Sequence, residues 1–284
     1  MNLRDLQPVG EAGGWRARLE LSYEHTDGAT RLTCRRHVGP LMVQKPFYPE
    51  GGGVCHSVLL HPPGGIAGGD RLEVDVCVSG GARALITTPG AAKWYRSSGP
   101  VAEQATTLAV GTAASLEWFP QESIVFDRAR ARMSSRVELA EGACFIGWDI
   151  TRLGRTASGE RFDAGELRSG TEVLQAGRRL WCDYAHIEGG AALLQSPAGL
   201  AGCPVMGTFL VGGAAIERKL LEACRAVVPR DEAQCGLTAL PRLLAARYLG
   251  ASAAAARDYF VALWKVARPA LLGREVSLPR IWST

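Results

Sequence analysis

The sequence predicts a mostly β fold, a layered or solenoid-like stack of β-sheets with two or three helices in the C-terminal part. Three observations carry that prediction. First, the 284 residues include 34 glycines and 15 prolines, more than a helical bundle tolerates, because glycine weakens helices and proline breaks their hydrogen-bond ladder. Second, across positions 16–210 apolar residues alternate with polar ones, the period of strands with one buried face. Third, a strand–turn–strand unit recurs within that region, and only beyond Leu210 does the apolar period become helical.

Leu19, Leu21 and Tyr23 set the first alternating run, and Leu72, Val74, Val76 and Val78 set a later one. Turn chemistry separates the runs at Pro49-Glu50-Gly51, Pro62-Pro63-Gly64-Gly65, Gly80-Gly81, Pro89-Gly90 and Ser98-Gly99-Pro100. The repeat is visible in residues 76–87 (VCVSGGARALIT), 108–118 (LAVGTAASLEW) and 137–148 (VELAEGACFIGW), with turns aligned on Gly81, Gly111 and Gly142. A poorer fourth copy begins at Gly189-Gly190. Units that each cover the apolar face of a neighbour, as in β-solenoids or layered sandwiches, produce such recurrence; meander hairpins give a similar pattern, and three loose copies fit both.

Residues 214–227 place Ile216, Leu220, Leu221 and Cys224 on one stripe and predict an amphipathic helix ended by Pro229. Residues 240–249 and 253–272 read as two further helices, the second carrying Phe260, Leu263, Trp264 and Ala267 at helical spacing, with Pro269 kinking or closing its end. None is apolar enough all round to build its own core. The expectation is one domain over residues 1–284, with the helical segment 213–272 packed on the β region.

A net charge of +4, from 32 basic and 28 acidic residues, is too balanced to make phosphate neutralisation the purpose of the surface, so no nucleic acid partner is predicted. Only Lys45, Lys93, Lys219 and Lys265 are lysines. The remaining positive charge is arginine, suited to bidentate carboxylate contacts at protein interfaces, although genomic base composition produces the same bias. The eight cysteines are dispersed without a C-x-x-C pair, which points to buried thiols in a reducing cytosol rather than structural zinc or a disulfide framework. Residues 1–15 include Asp5 and Glu11 and lack an apolar targeting run, and no later stretch is long and apolar enough to cross a bilayer. A soluble, cytoplasmic protein without membrane contact is the expectation.

The chain contains no G-x-S-x-G elbow, H-E-x-x-H, phosphate-binding loop or dinucleotide fingerprint. The glycine-rich residues 64–70 (GGIAGGD) lack the Lys-Ser/Thr ending of a phosphate cradle and read as a turn. Among the histidines, only His56 and His61, with Cys55, lie close in sequence; their odd separation puts them on opposite faces of a regular strand, against a shared ion. Glu50, Asp70, Glu117, Glu122, Asp127 and Asp149 sit beside Pro, Gly, Trp or Phe, where a carboxylate is hydrogen-bonded, paired with arginine or lining a wet cavity. Most such carboxylates pin turns, but oxygen ligands along an internal path would also hold a divalent ion weakly enough to pass it on. Arg128, Arg130, Arg132 and Arg136 form a positive stripe, which a solvated strand face explains without any ligand.

Several blocks in one order resemble the UreD/UreH urease accessory proteins. They are Gly39-Pro40-Leu41 with residues 43–51 (VQKPFYPEG), residues 61–70 (HPPGGIAGGD), and residues 87–97 (TTPGAAKWYRS). The series continues with residues 116–122 (LEWFPQE), Phe126-Asp127, Gly147-Trp148-Asp149, residues 154–160 (GRTASGE) with Phe162, and the terminal Pro279-Arg280-Ile281-Trp282. Trp94 and Phe119 stand where the family often has another apolar residue. The resemblance implies a mostly β scaffold without catalytic activity, acting with the accessory proteins UreF and UreG on the urease apoenzyme. Its implied role is to assist nickel delivery to the urease active site, with no tightly bound cofactor and only transient nickel. An internal tunnel for the metal belongs to the same expectation, and Glu50, Asp70, Glu122, Asp127, Asp149 and Glu160 are the carboxylates expected to line or support it. A function of another class, a β-sheet carbohydrate-active enzyme, would use Glu50 with Asp70 or Glu117 with Glu122 as its acid/base pair.

Overall fold

The structure, a computed structural model, describes residues 13–283. Residues 1–12, most of the N-terminal segment in which no targeting run is expected, and residue 284 lie outside the described residues. In chain order the strands are β1 (Arg16–Thr26), β2 (Ala29–Val38), β3 (Met42–Val43), β4 (Cys55–Leu60), β5 (Arg71–Val78) and β6 (Arg83–Thr87). They continue with β7 (Ala92–Trp94), β8 (Ala102–Val110), β9 (Ser115–Phe119), β10 (Ser123–Val125), β11 (Arg130–Leu139) and β12 (Cys144–Leu153). The C-terminal part holds β13 (Glu166–Gln175), β14 (Arg178–Glu188), β15 (Val205–Gly212), helix α1 (Arg218–Arg225), β16 (Gln234–Leu240), β17 (Leu243–Gly250) and helix α2 (Ala253–Leu272).

The recurrent unit is a solenoid coil. β5, β8 and β11 lie parallel in one sheet, β6, β9 and β12 in the other, and β7, β10 and the end of β12 form a short third side. Equivalent positions stack: Val78 beside Val110 beside Leu139, and Arg83 beside Ser115 beside Cys144. The left-handed residue of each coil turn is Gly81 (φ 73°), Ala113 (φ 55°) and Gly142 (φ 72°). The second turn therefore departs from the glycine alignment, because Ala113, not Gly111, takes the strained position.

The fourth copy expected at Gly189-Gly190 is not a coil. β13 runs parallel to β11, but β14 folds back on it antiparallel and ends the seven-stranded sheet β14-β13-β11-β8-β5-β1-β2. The second sheet continues past β12 through antiparallel β15, β17 and β16. The helix predicted over residues 240–249 is likewise corrected. Leu243–Gly250 is strand β17, with Leu243 and Ala245 facing the space between the sheets while Leu244, Ala246 and Tyr248 face the helices. A strand apolar on both faces has no alternation to reveal it.

Two cores result, one between the sheets and one between the second sheet and the helices. β12 serves both: Phe145 points inward, whereas Ile146, Trp148 and Ile150 point toward α2. α2 is capped at its start by Ser252, whose side chain accepts the Ala255 N–H, runs through Pro269 and is capped at its end by Gly273 (φ 63°). No helix among the described residues is long and apolar enough to cross a membrane.

Candidate functional site

Inter-sheet packing is incomplete at one level, and the sequence explains why. Across the inner face of the first sheet, Val74, Thr106, Ser135, Thr171 and Asp183 stand side by side on β5, β8, β11, β13 and β14. Across the second sheet, Asp149, Thr208 and Arg247 do the same on β12, β15 and β17. Small hydroxyl side chains cannot fill the roughly 10 Å between packed sheets. A cavity of about 450 Å³ remains, lined also by His61, Lys93 and Gln104. The adjacent row, Val76, Leu108, Val137 and Val173, is fully apolar and closes it.

Asp149 is the carboxylate at the centre of this space. Its side chain is exposed to that space. Burial pushes its pKa up to about 6; Arg247 opposes the rise and Asp183 adds to it. Arg247 Nη1 lies 2.7 Å from Asp183 Oδ2 and donates to Thr208 Oγ1 at 2.9 Å, while its guanidinium covers the Trp181 ring at 5.3 Å. The pair joins the two sheets. His61 has its pKa lowered, chiefly by burial and against the nearby Asp70 carboxylate, so its imidazole is neutral at pH 7. Two carboxylates and a neutral imidazole thus face one water-accessible space. No group of three or more metal-ligating side chains converges on a single point among the described residues.

A second charged cluster lies under α2. Arg268, fully buried, donates to Glu117 at 2.9 Å and to Glu50 at 2.8 Å, and its other nitrogen binds the Glu275 carbonyl. Trp264 Nε1 donates to the same Glu117 carboxylate at 2.6 Å. Burial raises the Glu117 pKa despite Arg268. Burial also pushes Glu50 upward, but His56, at 2.7 Å, and Arg268 outweigh it and hold Glu50 below the usual carboxylate range. This cluster anchors the helix to the solenoid, with Arg268 and Glu117 buried and Glu50 half-buried at its rim.

Comparison with known proteins gives these features a family. The family model described as UreD urease accessory protein matches residues 15–283. The chain belongs to the UreD urease accessory protein family. Proteins named Urease accessory protein UreD from Azoarcus sp. (strain BH72) and Dechloromonas aromatica (strain RCB) are 48% and 50% identical over 271 and 273 residues, covering 95% of both chains in each case. That from Pseudomonas fluorescens (strain Pf-5) is 50% identical over 270 residues, again covering 95% of each chain.

The six carboxylates singled out in the sequence fall into different surroundings within this UreD fold. Asp149 lines the cavity. Asp70 accepts the Trp15 and Ala67 N–H groups, both at 2.8 Å, and pins the turn before β5 near His61. Asp127 accepts from Asp163 N and Ala164 N at 2.9 Å. Glu160 accepts from Asp127 N at 3.2 Å and from Arg155, which holds its pKa down most strongly. Glu50 belongs to the cluster under α2, and Glu122 stands between the cavity-lining Gln121 and Ser123 without lining the cavity itself. The arginine stripe on β11 is charge-matched: Arg132 pairs with Glu103 at 2.9 Å, and Arg136 pairs with Glu138 and Glu172, both at 2.6 Å. Glu117 is sealed beneath α2, which removes it from any sugar-binding surface.

Sequence reasoning passed over Asp183, Arg247 and Arg268. Arg268 was findable: it lies four residues after Trp264 and one after Ala267, on the apolar stripe of α2, where a charge demands a buried partner. Asp183 and Arg247 become visible only when two sheets are superposed.

Proposed function

We propose that this chain is a non-catalytic component of urease maturation in the cytoplasm, which docks on apo-urease together with UreF and UreG and assists delivery of nickel to the urease active site. The observation that carries the reading is the water-accessible cavity between the sheets, with Asp149 and Asp183 inside it. A divalent ion moving through such a space meets carboxylate, hydroxyl and imidazole donors one or two at a time, too few to trap it. Transit rather than storage is the chemistry this favours, with nickel as cargo and no resident cofactor.

Asp149 meets the ion directly, while the other five carboxylates support the passage. Asp70 and Asp127 fix the turns that lead into β5 and β11, strands that line it, Glu160 holds the Asp127 turn through the Asp127 N–H, Glu50 holds α2 against the solenoid, and Glu122 sits between two lining residues. Family membership supports the urease assignment.

The test is the paired substitution Asp149→Asn with Asp183→Asn, co-expressed with urease, UreF and UreG. Urease purified from these cells should carry less nickel per active site, while the variant still co-purifies with apo-urease. Full nickel occupancy with the double variant would refute the passage, and failure of the wild-type chain to co-purify with apo-urease would refute the docking.

A further inference from the structure

The arginine stripe on β11 is matched by carboxylates, but two arginines that stand together beside the end of α2 are not. Arg274, half-buried in the segment after α2, lies against Gly53, its Nη2 only 3.1 Å from the position a Cβ there would take. Arg83, exposed at the start of β6, is near enough for its charge to act on Arg274. Burial first, and then Arg83, hold the Arg274 pKa below the ordinary arginine range. Among the described residues neither guanidinium has a hydrogen bond or an ion pair. The two carboxylates whose charges reach Arg274 are already engaged: Glu50 by His56 and Arg268, Glu117 by Arg268 and Trp264. The backbone beneath is fixed by the fully buried Thr30. Its N–H donates to the Gly52 carbonyl at 2.8 Å, its hydroxyl donates to the Gly53 carbonyl at 3.1 Å, and Arg83 N–H donates to that hydroxyl at 3.1 Å. On the same loop as Gly53, Phe47 and Tyr48 are 49% and 41% exposed.

We propose that Arg83 and Arg274, with Phe47 and Tyr48 on the neighbouring loop, form a docking surface for an acidic segment of a protein partner. The proposal rests on the reading that this chain docks on other urease maturation proteins, and it names where and by what chemistry. A guanidinium presents parallel N–H groups that fit a carboxylate, and a half-buried one beside a second positive charge lacks its counter-charge in the isolated chain. An incoming carboxylate relieves the repulsion and meets donors held in place by the Thr30 contacts, so little ordering is needed on binding. The two exposed rings select a protein over a free anion: arginine beside aromatic side chains is the composition of interface hot spots, and inorganic phosphate would leave the rings unused. A nucleic acid would need a longer run of uncompensated positive charge than a chain of net charge +4 offers.

Binding of the purified chain to purified apo-urease, UreF and UreG, measured one partner at a time, tests this. The wild-type chain binds at least one of them, more weakly as sodium chloride is raised. Arg83→Glu with Arg274→Glu weakens that complex roughly tenfold or more, and Phe47→Ala weakens it as well. Arg83→Gln with Arg274→Gln also weakens it and flattens its salt dependence. Because the glutamine pair removes a repulsion and no ion pair, the isolated chain melts no lower than wild type, which a structural role for these arginines would not allow. A folded charge-reversed or glutamine variant that binds as tightly as wild type overturns the docking surface and leaves docking itself standing. A wild-type chain that binds none of the three overturns both. Inorganic phosphate that displaces the partner, with Phe47→Ala without effect, overturns the protein segment in favour of a small anion.

Discussion

Replacing Arg268 with methionine removes the buried cation that Glu117 and Glu50 share, and the structure sets the size of the effect. Glu117 is 2% exposed and its carboxylate has two kinds of donor, the Trp264 indole at 2.6 Å and the Arg268 guanidinium at 2.9–3.2 Å. Methionine fills much of the arginine volume but leaves a buried carboxylate with the indole alone. Breaking a buried pair from one side destabilises by about 3–5 kcal/mol. For a chain of this size that corresponds to a fall in Tm of roughly 6–15 °C, read by calorimetry or circular dichroism at pH 7. The sign of the pH dependence follows from Glu117. Its folded pKa, already raised by burial, rises further without Arg268, so the loss is largest above neutrality and shrinks as pH falls and the carboxyl takes up a proton. Adding Glu117→Gln to Arg268→Met removes the orphaned charge and recovers more than half of the lost stability. An Arg268→Met chain that melts within ~1 °C of wild type, or a double variant no more stable than the single, would refute this account of how α2 is anchored.

Asp149→Asn raises stability at pH 7. The folded pKa of about 6 lies above that of an ordinary carboxylate, so the charged form is penalised above pH 6 and the penalty vanishes below about pH 4; denaturant titrations at the two pH values read the difference. Gly165→Ala destabilises by roughly 2 kcal/mol or more, because Gly165 has φ 101° and an added Cβ would lie 2.3 Å from the Ala129 carbonyl oxygen; thermal melts check it. Trp282→Ala removes a hydrogen bond to Thr87 at 2.8 Å and ring contacts with Phe119, Trp148 and Trp264. The expected loss is about 2–3 kcal/mol, below that of a fully buried tryptophan because Trp282 is half-exposed, and proteolysis rates of the C-terminal segment report it.

The coil repeat was legible because each unit carries its own turn chemistry and one-faced strands. Its second turn was misaligned because Ala113 takes a conformation that sequence assigns to glycine by default. β17 was misread for the opposite reason: LLAARYLG is apolar toward both layers, and burial on two faces erases the period that distinguishes strand from helix. The candidate site divides along the same line. Asp149 could be singled out beside Trp148 as a carboxylate in an apolar strand, but its neighbours Asp183 and Arg247 arrive from strands 34 and 98 residues away in sequence. Nothing local marks them. The cavity itself follows from Thr106, Ser135 and Thr171 falling in one row, a register that exists only once the coils are stacked.

Filling that row tests the central claim most directly. In cells expressing urease, UreF, UreG and this chain carrying Ser135→Phe and Thr171→Phe, which place two rings in the cavity, the nickel bound per urease active site is measured after purification. An outward-facing Ala105→Phe chain serves as the control. The account predicts a large loss of nickel with the filled cavity, full occupancy with the control, and undiminished co-purification with apo-urease for both. Fully metallated urease from cells whose only copy has the filled cavity would contradict it.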